Sequence, residues 1–112
     1  MLNPDWTEEF PGGIAVCDTQ GVILALNAQD AEEYMDRGGK AVIGTSLYDC
    51  HSQHSEEMIR DMIAGDHGNI YIVEKNGQRE LVIQSPWYQA GKLAGLVEIT
   101  VPFKGEIPVV LR

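Results

Sequence analysis

The chain has 112 residues, 44% of them hydrophobic and 22% charged, with a net charge of −9. That length suits a single domain with one core. The acidity repels phosphate backbones and anionic lipid surfaces, which argues against direct nucleic-acid or membrane binding. No apolar run approaches the roughly 20 residues that span a bilayer. The opening MLNPDWTEEF lacks the basic start and apolar block of a secretory signal, so a cytoplasmic location is the default expectation. Two cysteines in a reducing compartment do not predict a structural disulfide.

Residues 1–12 read as a lead-in. Trp6 and Phe10 lie four apart, as on one face of a short helix capped by Asn3 or Asp5, and Pro11-Gly12-Gly13 then breaks it. Ile14–Asp18 and Val22–Asn27 are strand-like runs joined by Thr19-Gln20-Gly21, whose glycine supplies the positive φ of a tight hairpin. Both runs are almost continuously apolar, which predicts that both faces of this hairpin are covered. Asn27–Arg37 reads as a short helix with Ala31, Tyr34 and Met35 inward, capped by Asn27 or Asp30 and ended by Gly38-Gly39.

Ala41–Tyr48 is an apolar connector broken by Gly44, with room for one helical turn. A second helix starts near Ser52, places Glu56 and Glu57 in its first turns and ends at Gly65. Met58, Ile59, Met62 and Ile63 form its apolar stripe. From Asn69 the period changes to two. Ile70–Lys75 and Gln78–Tyr88 flank Asn76-Gly77, a strong hairpin signal, and Gln89-Ala90-Gly91 turns the chain into a last strand, Leu93–Val101. This order predicts an α+β domain over residues 13–103, a five-stranded antiparallel sheet with short helices and one longer helix packed on one face. Residues 104–112 form a tail whose Ile107, Val109, Val110 and Leu111 need a partner surface.

Three stretches resemble the PAS family. The hairpin IAVCDTQGVILALN is similar to its opening, with Ile14, Val16, Asp18, Gly21, Val22, Ile23 and Asn27 at matching positions. VIGTSLYDCH resembles the family's connector before its long helix, through Gly44 and Leu47, and GKLAGLVEIT resembles its last strand. The resemblance covers roughly residues 10–103. The triplet Asp49-Cys50-His51 also looks like that of a subgroup of bacterial and archaeal sensors. The resemblance implies a sensory and dimerisation module that binds haem, flavin or a small metabolite between sheet and helices. Such modules pass the change to an attached output domain; this chain has no room for one, so it would signal through a partner or as a fragment of a longer protein.

Cys50, His51 and His54 bring a thiolate and two imidazoles within five residues. That donor set suits zinc, copper or haem iron, with Cys17 or His67 as a fourth ligand, and structural roles for these side chains are the competing reading. Haem-binding members of the family commonly place an axial histidine on the long helix, which His54 and, less well, His51 match. The flavin photosensors carry Asn-Cys-Arg-Phe where this chain has Asp49-Cys50-His51-Ser52, which argues against flavin. Candidate ligand contacts are Tyr48, Cys50, His51, His54, Met58, Met62 and Trp87. Met58 and Met62 offer pliable walls, and Trp87 with Tyr88 offers a roof, a dimer contact or plain packing.

An enzyme is not expected. Cys50 and His51 are sequence neighbours, which rarely make a working dyad, and no phosphate loop or His-Glu-x-x-His motif is present. The expected function is ligand-responsive signalling as a homodimer. Its alternatives are a ligand-free interaction module and a haem or metal redox sensor using Cys50, His51 and His54.

Overall fold

Two-residue turns and one long return build the sheet. In the computed structural model, which describes residues 4–112, β1 (Gly13–Asp18) and β2 (Ile23–Leu26) form the first hairpin. Next come α1 (Ala28–Glu32), 3-10 turns at Met35–Arg37, Gly39–Val42 and Leu47–Asp49, and α2 (Gln53–Gly65). β3 (Asn69–Lys75), β4 (Gln78–Gln89) and β5 (Lys92–Phe103) complete a five-stranded antiparallel sheet in the order β2-β1-β5-β4-β3. The expected α+β architecture, with helices over a five-stranded antiparallel sheet, is the observed one.

Local chemistry explains the turns. Asp18 Oδ1 accepts from the amides of Gln20 and Val22, at 2.8 and 2.9 Å, and Gly21 has φ +80°. Asn76-Gly77 and Ala90-Gly91 place both central residues at positive φ, the geometry that matches the twist of the flanking strands. Ser52 caps α2 by accepting from Ser55 N. Its other end closes at Asp66, φ +52°, whose carboxylate accepts from Tyr88 Oη at 2.5 Å.

The core lies on the helix side of β1, β2 and β5. Cys17 and Leu96 meet Ile59 and Met62 of α2, with Leu47, Tyr48 and Ile63 packed against them. Ile23, Leu26 and Val42 form a second cluster with Ala15, Tyr34 and Leu47. Neither cluster includes a residue of β3 or β4. The connector also docks on the outer edge of β2: Ile23 N donates to Thr45 O, Gly44 N to Ile23 O and Leu47 N to Gly21 O.

Four expectations change. No helix spans Trp6 and Phe10; Asp5 Oδ1 holds Thr7 in a turn, although the two rings still meet edge to face at 6.1 Å. The proposed Asn3 cap lies outside the described residues. The first helix stops at Glu32, and Gly38 at φ +97° ends the 3-10 turn that follows, so Met35 faces solvent. On β2, a register shift opposite Val16 and Cys17 turns Leu24 outward, so one face of that strand stays uncovered. Met58 is also exposed, because α2 meets the sheet along Ile59 and Met62.

Asn27 joins the two halves of this arrangement. Its side chain is buried; Oδ1 accepts from Ile14 N and Asp30 N, each at 3.0 Å, and Nδ2 donates to Gly12 O at 2.9 Å. One amide thus caps α1 and fixes the start of β1. Asn27→Ala leaves two buried backbone groups and one half-buried one unpaired, so a loss of about 3 kcal/mol is expected in denaturant unfolding. A loss below about 1 kcal/mol would show that water replaces those bonds.

Candidate functional site

Strand alternation gives the sheet two unlike faces. On the helix side, one cross-strand row reads Ala15, Glu98, Gln84 and Asn69, from β1 to β3. The row above it holds Gly13, Thr100, Val82 and Tyr71. The opposite face carries a row of four isoleucines, Ile14, Ile99, Ile83 and Ile70.

The helix-side face is polar where β4 and β5 meet. Gln84 Nε2 donates to Glu98 Oε2 at 2.8 Å, while Gln84 Oε1 is buried and has no hydrogen-bond partner among the described residues. Gly13 leaves room for Asp30 to lie against the sheet, since a Cβ there would sit 2.7 Å from Asp30 Oδ1. Burial, and then the charges of Glu98 and Glu33, push the Asp30 carboxyl up to about 6. Burial also raises the Tyr34 hydroxyl, helped by Cys50, Asp30 and Glu98, and raises that of Tyr71, helped by Glu98. Asp30, Tyr34, Tyr71, Gln84 and Glu98 therefore share one electrostatic neighbourhood.

The residues singled out in the sequence are placed differently. Cys50 Sγ donates to Leu47 O at 3.3 Å and lies 3.5 Å from His51 Nδ1. His51 Nδ1 lies 2.8 Å from the same carbonyl, which makes that nitrogen the donor. His54 and His67 are exposed. Among the described residues no three His, Cys, Asp or Glu side chains group as a metal site. Haem needs an axial ligand aimed into a largely apolar slot; exposed histidines, a Cys50 thiol bonded to Leu47 O and a carboxylate-bearing face do not fit it.

Tyr48 is spent on packing, wedged against Gly21 with the Arg60 guanidinium 4.0 Å above its ring. Met62 belongs to the core. Trp87 falls on the face opposite Leu96 and Cys17. Its indole Nε1 donates to Cys17 O at 3.0 Å, past Gly95, where any side chain would collide with that same carbonyl.

Cavities among the described residues include two that open on the surface. The larger, about 580 Å³, straddles the start of β3 and borders both faces, with Asn69, Gln84 and Pro86 on one side and Ile70, Ile83 and Ser85 on the other. The smaller, about 200 Å³, lies behind Cys50, against Arg37, Val42 and Asp49. Asp30, Gln84 and Glu98 are not among the site residues that the sequence singled out. The available signal was the polar residues Gln84, directly after the apolar run Leu81–Ile83, and Glu98, within Leu96–Ile99.

The family follows from this fold and from the sequence together. Residues 7–68 match the PAS fold family, and the chain belongs to it. No curated protein matches the chain in sequence. The Aer2 receptor of Vibrio cholerae, a dual PAS-heme oxygen sensor, superposes with a TM-score of 0.59 at 12% identity, covering 83% of this chain and 95% of that one. A sensory box sensor histidine kinase from the same organism gives 0.68 at 8% identity, with coverages of 89% and 88%. VqmA of Vibrio cholerae gives 0.68 at 15% identity and 88% coverage, this chain spanning 49% of that one. Identities this low show a shared fold.

Asp30 makes stability pH-dependent in a defined direction. Its ordinary value is 3.8, so between there and about 6 the unfolded chain has released a proton that the folded chain keeps. Stability is therefore lost as pH rises through that window. Asp30→Asn is expected to raise the melting temperature by a few degrees at neutral pH and to leave it unchanged near pH 3.5. Parallel melting curves for the two proteins across this range would rule the assignment out.

Proposed function

We propose that the chain is a sensory PAS domain that takes a small ligand on the helix side of its sheet, between β3–β5 and α2. The observation that carries this reading is the Glu98–Gln84 pair, which sets a buried, unpartnered acceptor where a closed core would place apolar side chains. Such a group costs about 1–3 kcal/mol until something donates to it. The likeness to an oxygen sensor and to a sensor histidine kinase supports a sensory role. Of α2, only Ile59 and Met62 are buried, so a ligand that favours one position of this helix shifts the population between two arrangements.

The change is read by a partner or an attached output protein. The Asp49-Cys50-His51 resemblance to bacterial and archaeal sensors belongs to the same reading. Binding rather than catalysis is supported by Cys50 and His51, which both spend a hydrogen bond on Leu47 O. Net charge argues against direct contact with nucleic acid, and the free thiols of Cys17 and Cys50 support a reducing, cytoplasmic setting. Titrating ¹⁵N-labelled protein with pooled small metabolites is expected to shift the amides of Gln84, Glu98 and Tyr71, together with those of α2. Shifts confined to the isoleucine face, or none at all, would sink the reading.

The isoleucine face supports a second role, self-association as a homodimer. Ile70 and Ile72 are 67% and 45% exposed on an otherwise apolar surface of Leu81, Ile83 and Ile99. Sedimentation is expected to give a dimer for the wild type and a monomer for Ile72→Glu. A wild-type monomer at high concentration would remove this role.

A further inference from the structure

The helix side of the sheet offers acceptors in excess. Asp30 comes from α1, Glu98 from β5 and Gln84 from β4, with the phenols of Tyr34 and Tyr71 beside them. The Gln84 amide cannot rotate to relieve this, because its oxygen would then face the Glu98 carboxylate. Glu98 thus holds the donor end and leaves Oε1 over.

No cation of the described residues answers these groups. The ion pairs among the described residues join Lys40 to Glu8, Arg60 to Glu56 and His67 to Asp61, none of them to Asp30 or Glu98. Arg79, whose Nε is itself unpartnered among the described residues, lies over the Phe103 ring on the other face. Every charge that acts on Asp30 is another carboxylate. Half-buried carboxylates without a counter-charge are costly, and a ligand that supplies one removes that cost. A bare metal ion is a poor candidate, since no three His, Cys, Asp or Glu side chains group here among the described residues. The orphan is an amide oxygen, which needs a directional donor, and an N–H on the same cationic group supplies both the donor and the counter-charge.

We infer that the ligand of this face carries a cationic nitrogen group with at least two N–H donors, an amidinium, guanidinium or primary ammonium. Its charge is set against Asp30 and Glu98, and one N–H donates to Gln84 Oε1. The inference rests on the ligand-binding reading above and names the chemical class that reading leaves open.

Benzamidine, its neutral isostere benzamide and the anion benzoate test the charge at constant shape. Each is titrated into ¹⁵N-labelled protein at about pH 7.5 and about 0.15 M salt, where diffuse attraction to an acidic chain is screened. Saturable binding of benzamidine is expected, with the Gln84, Glu98 and Tyr71 amides moving and the other two probes at least about tenfold weaker. Glu98→Gln and Asp30→Asn are each expected to weaken benzamidine about tenfold, and Glu74→Gln at the exposed end of β3 to leave it unchanged. Matched thermal melts for Glu98→Gln and Glu74→Gln separate loss of binding from loss of fold.

Equal binding of benzamide at these amides overturns the charge assignment while leaving the sensory reading in place. Undiminished benzamidine binding to Glu98→Gln also overturns it. Inner-face amides that ignore benzamidine overturn it as well, and the metabolite titration then decides the sensory reading independently.

Discussion

One buried amide holds the fold in register. Asn27 is hydrogen-bonded to Gly12, Ile14 and Asp30, three points that belong to the strand start, the strand and the first helix. A carboxamide is the group that fits, since the site needs one donor and two acceptor lone pairs at once. Through it the position of Asp30 over Gly13 is fixed, and with it the electrostatics of the whole helix-side face. Structure and candidate chemistry therefore share a single anchor.

The domain divides its apolar surface unevenly. Core clusters close over β1, β2 and one end of β5, and beyond them the helix side of β4 buries one apolar side chain, Val82. On the other face, Trp87 reaches over Gly95 to the Cys17 carbonyl and ties the three central strands together without a helix. The far half of the sheet is held by its own ladder and by such ties, so its helix side need not be filled to stay folded. That freedom lets polar groups occupy it.

Period and turn chemistry made the sheet legible from sequence. Asn76-Gly77 and the switch to alternation after Asn69 located β3 and β4, and Ser52 with Gly65 bracketed α2 to within a residue. Where local signals compete, legibility ended. Asn27–Arg37 has a helical period, yet tight 3-10 turns and left-handed glycines take over after one turn, so Met35 points outward. The Cys50-His51-His54 cluster drew attention by composition, whereas hydrogen bonding to Leu47 O is a matter of backbone placement. Asp30, Gln84 and Glu98 are ordinary surface residue types, far apart in the chain; the strand register brings Gln84 to Glu98, and the capped start of α1 lays Asp30 over Gly13.

The docking of the connector on β2 has a consequence for assembly. Gly44, Thr45 and Leu47 bond to Gly21 and Ile23 and so cover the start of that margin, whereas no other segment of the described residues pairs β3 at the opposite one. A bare margin can accept a neighbouring strand, and a partly covered one accepts it less readily. Strand addition to this sheet is thereby directed toward β3, on the side where Ile70 and Ile72 are exposed.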